Sequence, residues 1–197
     1  MMLKRLGILI VALSVSLSWA REAFAQASDS PDSSEYLIKA GFIFNFAKFV
    51  EWPPVAFAQT DTPIVIGILG TDPFGPILDQ IVRDKKIGNR GFIVKRLNWN
   101  RDSKDLKDCN ILFVSASEKA HIDDVLQIVK SLPILTVGET PGFAERGGII
   151  RFTVEDNRVR FEVNVDAAHL AQLTISSRLL TLARIIQQPT IETRKPG

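Results

Sequence analysis

The sequence predicts an α/β domain of three-layer type, with a mainly parallel sheet, crossover helices and a C-terminal β-hairpin plus helix. Three observations predict it. Short β-branched runs at Ile64–Leu69, Ile111–Val114 and Ile134–Val137 show no alternation, as expected of strands buried on both faces. Helix-like stretches separate them, which is the strand–helix–strand order of a parallel sheet. From Ile150 the pattern changes to alternation, the mark of half-exposed strands.

The elements follow in order. Glu35–Val50 reads as a helix that Asp32 or Ser33 can cap, with Glu35 in its first turn and Trp52-Pro53-Pro54 forbidding continuation. Its apolar residues cover most of its circumference, so the helix is either deeply buried or offers one face to a partner. Ile64–Leu69 is a strand bounded by Pro63 and Gly70, and the turn Thr71-Asp72-Pro73 leads into a helix over Phe74–Val82. Phe92–Leu97 supplies a more exposed strand, and Ala120–Ser131 a helix with Ile122, Val125, Leu126 and Val129 at helical spacing. Ile150, Phe152 and Val154 alternate with polar residues, as do Val159, Phe161, Val163 and Val165. Asp156-Asn157 between them suits a two-residue hairpin turn, because both residue types tolerate positive φ. The chain closes with a helix over Ala167–Ile186, broken near Thr174–Ser176, in which Leu170, Leu173, Ile175, Leu179, Leu182 and Ile186 supply the core-facing stripe.

Lys4 and Arg5, the apolar run Leu6–Leu17 and the small-x-small pattern Ala23-Phe24-Ala25 form a cleavable export signal, residues 1–25. The run is shorter than the roughly 20 apolar residues that a membrane span needs. A polar leader, residues 26–32, precedes one domain over 33–188, and residues 189–197 form a tail. The expected address is the periplasm. The whole chain carries a formal charge of +2. Lys4, Arg5 and Arg21 against Glu22 account for all of it, so the mature chain is neutral and has no electrostatic footprint for nucleic acid.

The sequence assembles no catalytic constellation. Cys109 is the single cysteine, so no intramolecular disulfide can form, and it reads as a half-buried small hydrophobe at the start of a strand. His121 and His169 read as surface histidines, Asp123-Asp124 as solvated carboxylates, and no metal-ligand spacing occurs. The turn Gly67-x-x-Gly70-Thr71-Asp72-Pro73-Phe74-Gly75 lacks the dinucleotide spacing and the phosphate-loop lysine. No enzyme activity and no cofactor are expected.

Glu35-Tyr36-Leu37-Ile38-Lys39-Ala40-Gly41-Phe42-Ile43-Phe44-Asn45-Phe46-Ala47-Lys48-Phe49-Val50-Glu51-Trp52-Pro53 closely resembles the opening signature of the YfiR family. Gly67–Gly75, Asn110–Ser115 with Ser117-Glu118, and Ile175–Ala183 fit the same family in the same order. The resemblance implies a periplasmic regulator that binds the periplasmic sensor part of an inner-membrane diguanylate cyclase and holds it inactive, lowering cyclic di-GMP and biofilm formation. The family's best-known member senses redox state through disulfides, which one cysteine cannot form. Many members carry Ala-Gly-Leu where this chain has Ala171-Gln172-Leu173, so the local backbone is an open question here.

Two classes of function are therefore carried forward. In the first the domain represses a cyclase by protein contact, with Glu162, Arg178 and Arg184 as partner-binding residues. Arg178 lies in the first turn of a helix that Ser176 can cap, where a cation needs an answering carboxylate. Glu162 or an acidic group of the target protein is expected to supply it. In the second the domain binds a small ligand, an anion or nucleotide, in the crevice at the C-terminal ends of the parallel strands. Asn45 and Lys48, polar positions in an apolar helix, are its ligand-binding candidates. Their plainer reading is an Asn45 amide bonded to nearby backbone and a snorkelling Lys48. A homodimer is compatible with either class.

Overall fold

The structure, a computed structural model, describes residues 31–100 and 104–186. The expected export signal, residues 1–25, and the tail, residues 189–197, lie outside them. The account below concerns the compact unit that begins at Glu35, as far as it is described.

The first helix, α1, spans Pro31–Phe49. It begins ahead of the expected start at Glu35, and Pro31 suits a first helical position because its missing N–H is not needed there. Along α1, Ala40, Ile43, Phe46 and Ala47 are buried. Burying each large side chain of this kind stabilises by about 1.5–3 kcal/mol. Ser34, Leu37, Ile38, Asn45 and Lys48 make up the opposite, exposed stripe. The apolar circumference is thus divided: one face enters the core and the other keeps two large aliphatic side chains in water.

The sheet strands are β2 (Ile64–Leu69), β3 (Phe92–Leu97), β4 (Ile111–Val114), β5 (Leu135–Gly138), β6 (Ile150–Glu155), β7 (Arg158–Asn164) and β9 (Arg184–Ile186). A separate antiparallel pair joins β1 (Val50–Glu51) to β8 (Thr174–Ile175). The large sheet has the order β3-β2-β4-β5-β6-β7-β9. Pairing is parallel from β3 to β6, antiparallel between β6 and β7, and parallel again between β7 and β9.

Period-two geometry divides the unalternating runs between two cores. Ile64, Ile66, Ile68, Ile111, Phe113, Leu135 and Val137 face the core that α1 covers, together with Leu78 and Val82 of α2 (Pro76–Val82). Leu69, Leu112, Val114 and Ile134 face a second core, with Leu106 of α3 (Lys104–Lys107) and Ile122, Val125, Leu126 and Val129 of α4 (Ile122–Val129). This is the predicted three-layer arrangement. The helix expected from Phe74 starts at Pro76 instead, because the Asp72 carboxylate accepts from the N–H groups of Phe74 and Gly75 and holds them in a turn. A 3₁₀ segment, Ala116–His121, takes the start of the helix expected from Ala120.

Strands β6 and β7 form the predicted hairpin, with Asp156 and Asn157 at φ 49° and 58°. The expected long last helix is absent. Its place is taken by α5 (Val165–Leu170), β8, the one-turn helix α6 (Ser177–Leu180) and β9. Of the six residues assigned to its core stripe, Leu173 and Leu179 are buried, whereas Leu170 and Leu182 are 48% and 66% exposed. The reason is that the chain leaves α5 at Gln172, whose φ is 56°. Leu173 N–H then donates to Ala168 and Gln172 N–H to His169, a helix-ending motif built on a left-handed residue. Gln172 thus takes the conformation for which a glycine would be the unstrained residue.

Candidate functional site

The β6–β7 hairpin sets Arg151 opposite Glu162, and the β7–β9 pairing sets Glu162 opposite Arg184. Glu162 is 1% exposed. Its Oε2 accepts a 2.9 Å hydrogen bond from Arg151, and its Oε1 pairs with Arg184. Two guanidiniums therefore answer one buried carboxylate. The residues that share this face by alternation, Arg158 and Arg160 with Glu155, are exposed. Four arginines against two glutamates leave the outer face of β6–β7–β9 with a net charge of +2.

Behind the same strand edge lies a second ionic group. Lys39 Nζ, with its side chain 4% exposed, sits 2.5 Å from Glu35 and 2.7 Å from Glu139. The Tyr36 hydroxyl lies 3.2 Å from both oxygens of Glu139. Helix α1 supplies Glu35, Tyr36 and Lys39, and the residue after β5 supplies Glu139. Between the two groups opens a cleft of about 400 Å³, lined by Tyr36, Lys39, Glu139, the β6 residues Arg151–Glu155 and Arg184.

Strand β5 ends here for a packing reason. The Phe143 ring lies over Gly138 and Gly148, so closely that a Cβ on either glycine would stand within 2.7 and 2.1 Å of it. The chain after Glu139 follows that ring into the second core and leaves the sheet.

The crevice between β2 and β4, where the strand order reverses, is filled from within. Thr71 N–H donates to Ser117 Oγ at 2.9 Å, and Phe74 packs edge-on against Phe113 at 4.8 Å and against Tyr36 at 5.5 Å. Asp72 faces Arg96, which also reaches Asp79 and holds that carboxyl below its ordinary range.

The structure brings Glu162 and Arg184 together, but Arg178 stands apart from them. Arg178 is exposed and forms no ion pair among the described residues, so the expected Glu162–Arg178 pair is replaced by pairs to Arg151 and Arg184. The Ser176 cap does form, with Oγ accepting from Arg178 N–H at 3.3 Å. Its helix has a single turn, so the dipole that would call for a carboxylate is small. Asn45 is exposed, so its amide is not buried, while Lys48 Nζ lies 5.6 Å from the Phe44 ring centre. Arg151 was missed. The signal was present: a two-residue turn at Asp156-Asn157 fixes the register that places Arg151 across from Glu162.

Cys109 is buried, donates to the Asp105 carbonyl at 3.4 Å, and has its thiol pushed up to about 12 by desolvation. His121 Nδ1 lies 2.9 Å from Glu118 while its ring stacks on Trp99, and Asp123 pairs with Arg146 at 2.6 Å. Among the described residues, no group of three His, Cys, Asp or Glu side chains could hold a metal ion, and no helix is long and apolar enough to cross a membrane.

A family model described as YfiR/HmsC-like matches residues 36–184. No curated protein matches the chain. Among solved structures, a conserved domain protein from Vibrio cholerae O1 biovar El Tor strain N16961 superposes with a TM-score of 0.53 at 9% identity. The match covers 78% of this chain and 60% of that one, and at this identity it reports the fold alone.

Proposed function

Since the chain belongs to the YfiR/HmsC-like family, we propose that it is a non-enzymatic periplasmic regulator, exported by residues 1–25, that binds the sensor part of an inner-membrane diguanylate cyclase and represses it. The observation that carries the contact reading is the surface around β6, β7 and β9. There Leu182 is 66% exposed, and Val154 and Ile185, on the sheet face opposite the arginines, are 49% and 44% exposed. Large aliphatic side chains in water at a sheet end that also carries arginines suit a protein interface better than an idle surface. Arg184 belongs to this surface, the buried Glu162 holds Arg184 and Arg151 from beneath, and Arg178 on α6 extends it.

Deleting the gene and measuring cyclic di-GMP tests the reading: the level rises if the protein is a repressor, and an unchanged level under several growth conditions rejects it. The small-ligand alternative has less support at the strand-order reversal, where side chains already occupy the crevice and use its turn amides. A thermal-shift series with nucleotides and phosphate distinguishes the two, since a tight ligand raises the melting temperature by mass action.

A further inference from the structure

The cleft beside β6 is a vacant strand position. Strand β5 pairs with β6 only at Val137–Ile150 and Gly138–Arg151, whereas β6 runs on to Glu155. Four residues, Phe152–Glu155, thus pair with β7 on one side and face the cleft on the other. The two-residue turn makes Glu155–Arg158 a hydrogen-bonded pair, so by alternation Thr153–Arg160 is another. The backbone groups of Val154 then point away from β7, into the cleft. Within Phe152–Glu155 the edge has neither the proline nor the lysine that commonly protects one.

From this geometry we infer that the slot takes an extended segment of a partner protein, added in line with β5, that alternates apolar and acidic residues. Successive side chains of an added strand point to opposite faces of the sheet. One set would meet Tyr36, Phe152 and the exposed Val154 on the α1 side. The other set would meet the outer face, where Arg151, Arg158, Arg160 and Arg184 outnumber Glu155 and Glu162. The charges lining the cleft itself balance, Glu35, Glu139 and Glu155 against Lys39, Arg151 and Arg184, so it is the excess of positive charge on the outer face that selects carboxylates in the outward set. A cleft of about 400 Å³ lies within the roughly 300–1,000 Å³ range of ligand sites, room for a few residues and not for a folded element. Backbone pairing supplies the affinity and the alternate side chains the selectivity.

This inference rests on the protein-contact reading and deepens it by naming the partner's chemistry. The test uses the mature chain, residues 26–197, and two capped pentapeptides, VEVEV and VKVKV. Binding of VEVEV at least about tenfold tighter than VKVKV is expected, with amide shifts and exchange protection at Val154. Val154→Pro should abolish binding, because it removes a donor that faces the cleft and leaves the β7 ladder in place. Should that variant not fold, VEVEV N-methylated at its central valine replaces it and should bind at least about tenfold more weakly. Equal affinity for the two peptides, no binding of VEVEV, or full binding to Val154→Pro overturns the inference. So does a dimer of the mature chain that Val154→Pro dissolves, which would assign the slot to a second copy. If VEVEV binds as expected but gene deletion leaves cyclic di-GMP unchanged, the slot stands and the cyclase reading falls. The converse result removes the slot and leaves repression to another surface.

Discussion

Arg151 donates a 2.9 Å hydrogen bond to Glu162 across the β6–β7 ladder, where the glutamate is only 1% exposed. Removing one partner of such a pair leaves an uncompensated charge, which costs about 3–5 kcal/mol when the site is fully buried. Here Arg184 reaches out to solvent, so Glu162→Ala is expected to lose about 3 kcal/mol in urea unfolding. Replacing both partners by apolar residues of similar volume, Arg151→Met with Glu162→Leu, should recover at least about half of that loss. A double variant as unstable as the sum of its single changes would contradict this account.

Gln172 holds φ 56° at the end of α5. A side chain in the left-handed region costs roughly 1–2 kcal/mol relative to glycine. Gln172→Gly should therefore raise stability by about 0.5–1 kcal/mol, net of the greater freedom glycine gains in the unfolded chain. A β-branched residue at this position, as in Gln172→Val, should lower it. A lower urea midpoint for the glycine variant would show that the Gln172 side chain has a stabilising contact outweighing its backbone strain.

These two sites show where sequence reasoning reached and where it stopped. The hairpin was legible because Asp156-Asn157 is a local signal, and β2 and β4 because unbroken β-branched runs have one stable use in a sheet covered on both faces. The end of the chain was not. Leu170, Leu173, Leu179 and Leu182 fall near helical spacing, yet β9 pairs in parallel with β7, a non-local contact that spacing does not encode. The error carried over to the site: in a helix that resumes after a break near Thr174–Ser176, Arg178 looks close to the preceding strand, but with β9 a strand it is Arg184 that stands opposite Glu162.

Cys109 makes a pH prediction with a definite sign. Its thiol is pushed from 9.0 up to about 12, first by desolvation. The folded state therefore prefers the protonated form, and this contribution is fully present below pH 9. It is lost as pH rises from about 9 towards about 12, at up to roughly 1.4 kcal/mol per pH unit. Cys109→Ala should remove that part of the alkaline loss. In the parent protein, iodoacetamide at pH 8 should label Cys109 only on unfolding, since the thiolate is the nucleophile. Rapid labelling under native conditions would place the thiol nearer solvent than Gly67 and Leu112 allow.

Leu182 separates interface from fold. It is 66% exposed between α6 and β9, so Leu182→Asp should leave stability within about 0.5 kcal/mol of the parent, as surface substitutions do. If this surface grips the cyclase, the same change should raise cyclic di-GMP, because burying an unpaired carboxylate beneath a partner costs far more than leaving it in water. Arg178→Ala supplies the comparison: Arg178 is also exposed, lies on α6, and has no ion pair among the described residues. Raised cyclic di-GMP in both variants at unchanged stability would extend the interface from β9 over α6. Release by Leu182→Asp alone would confine it to the β6–β7–β9 face. If neither variant releases the cyclase while both remain folded, the contact lies elsewhere, and the exposed α1 stripe of Leu37 and Ile38 becomes the surface to mutate next.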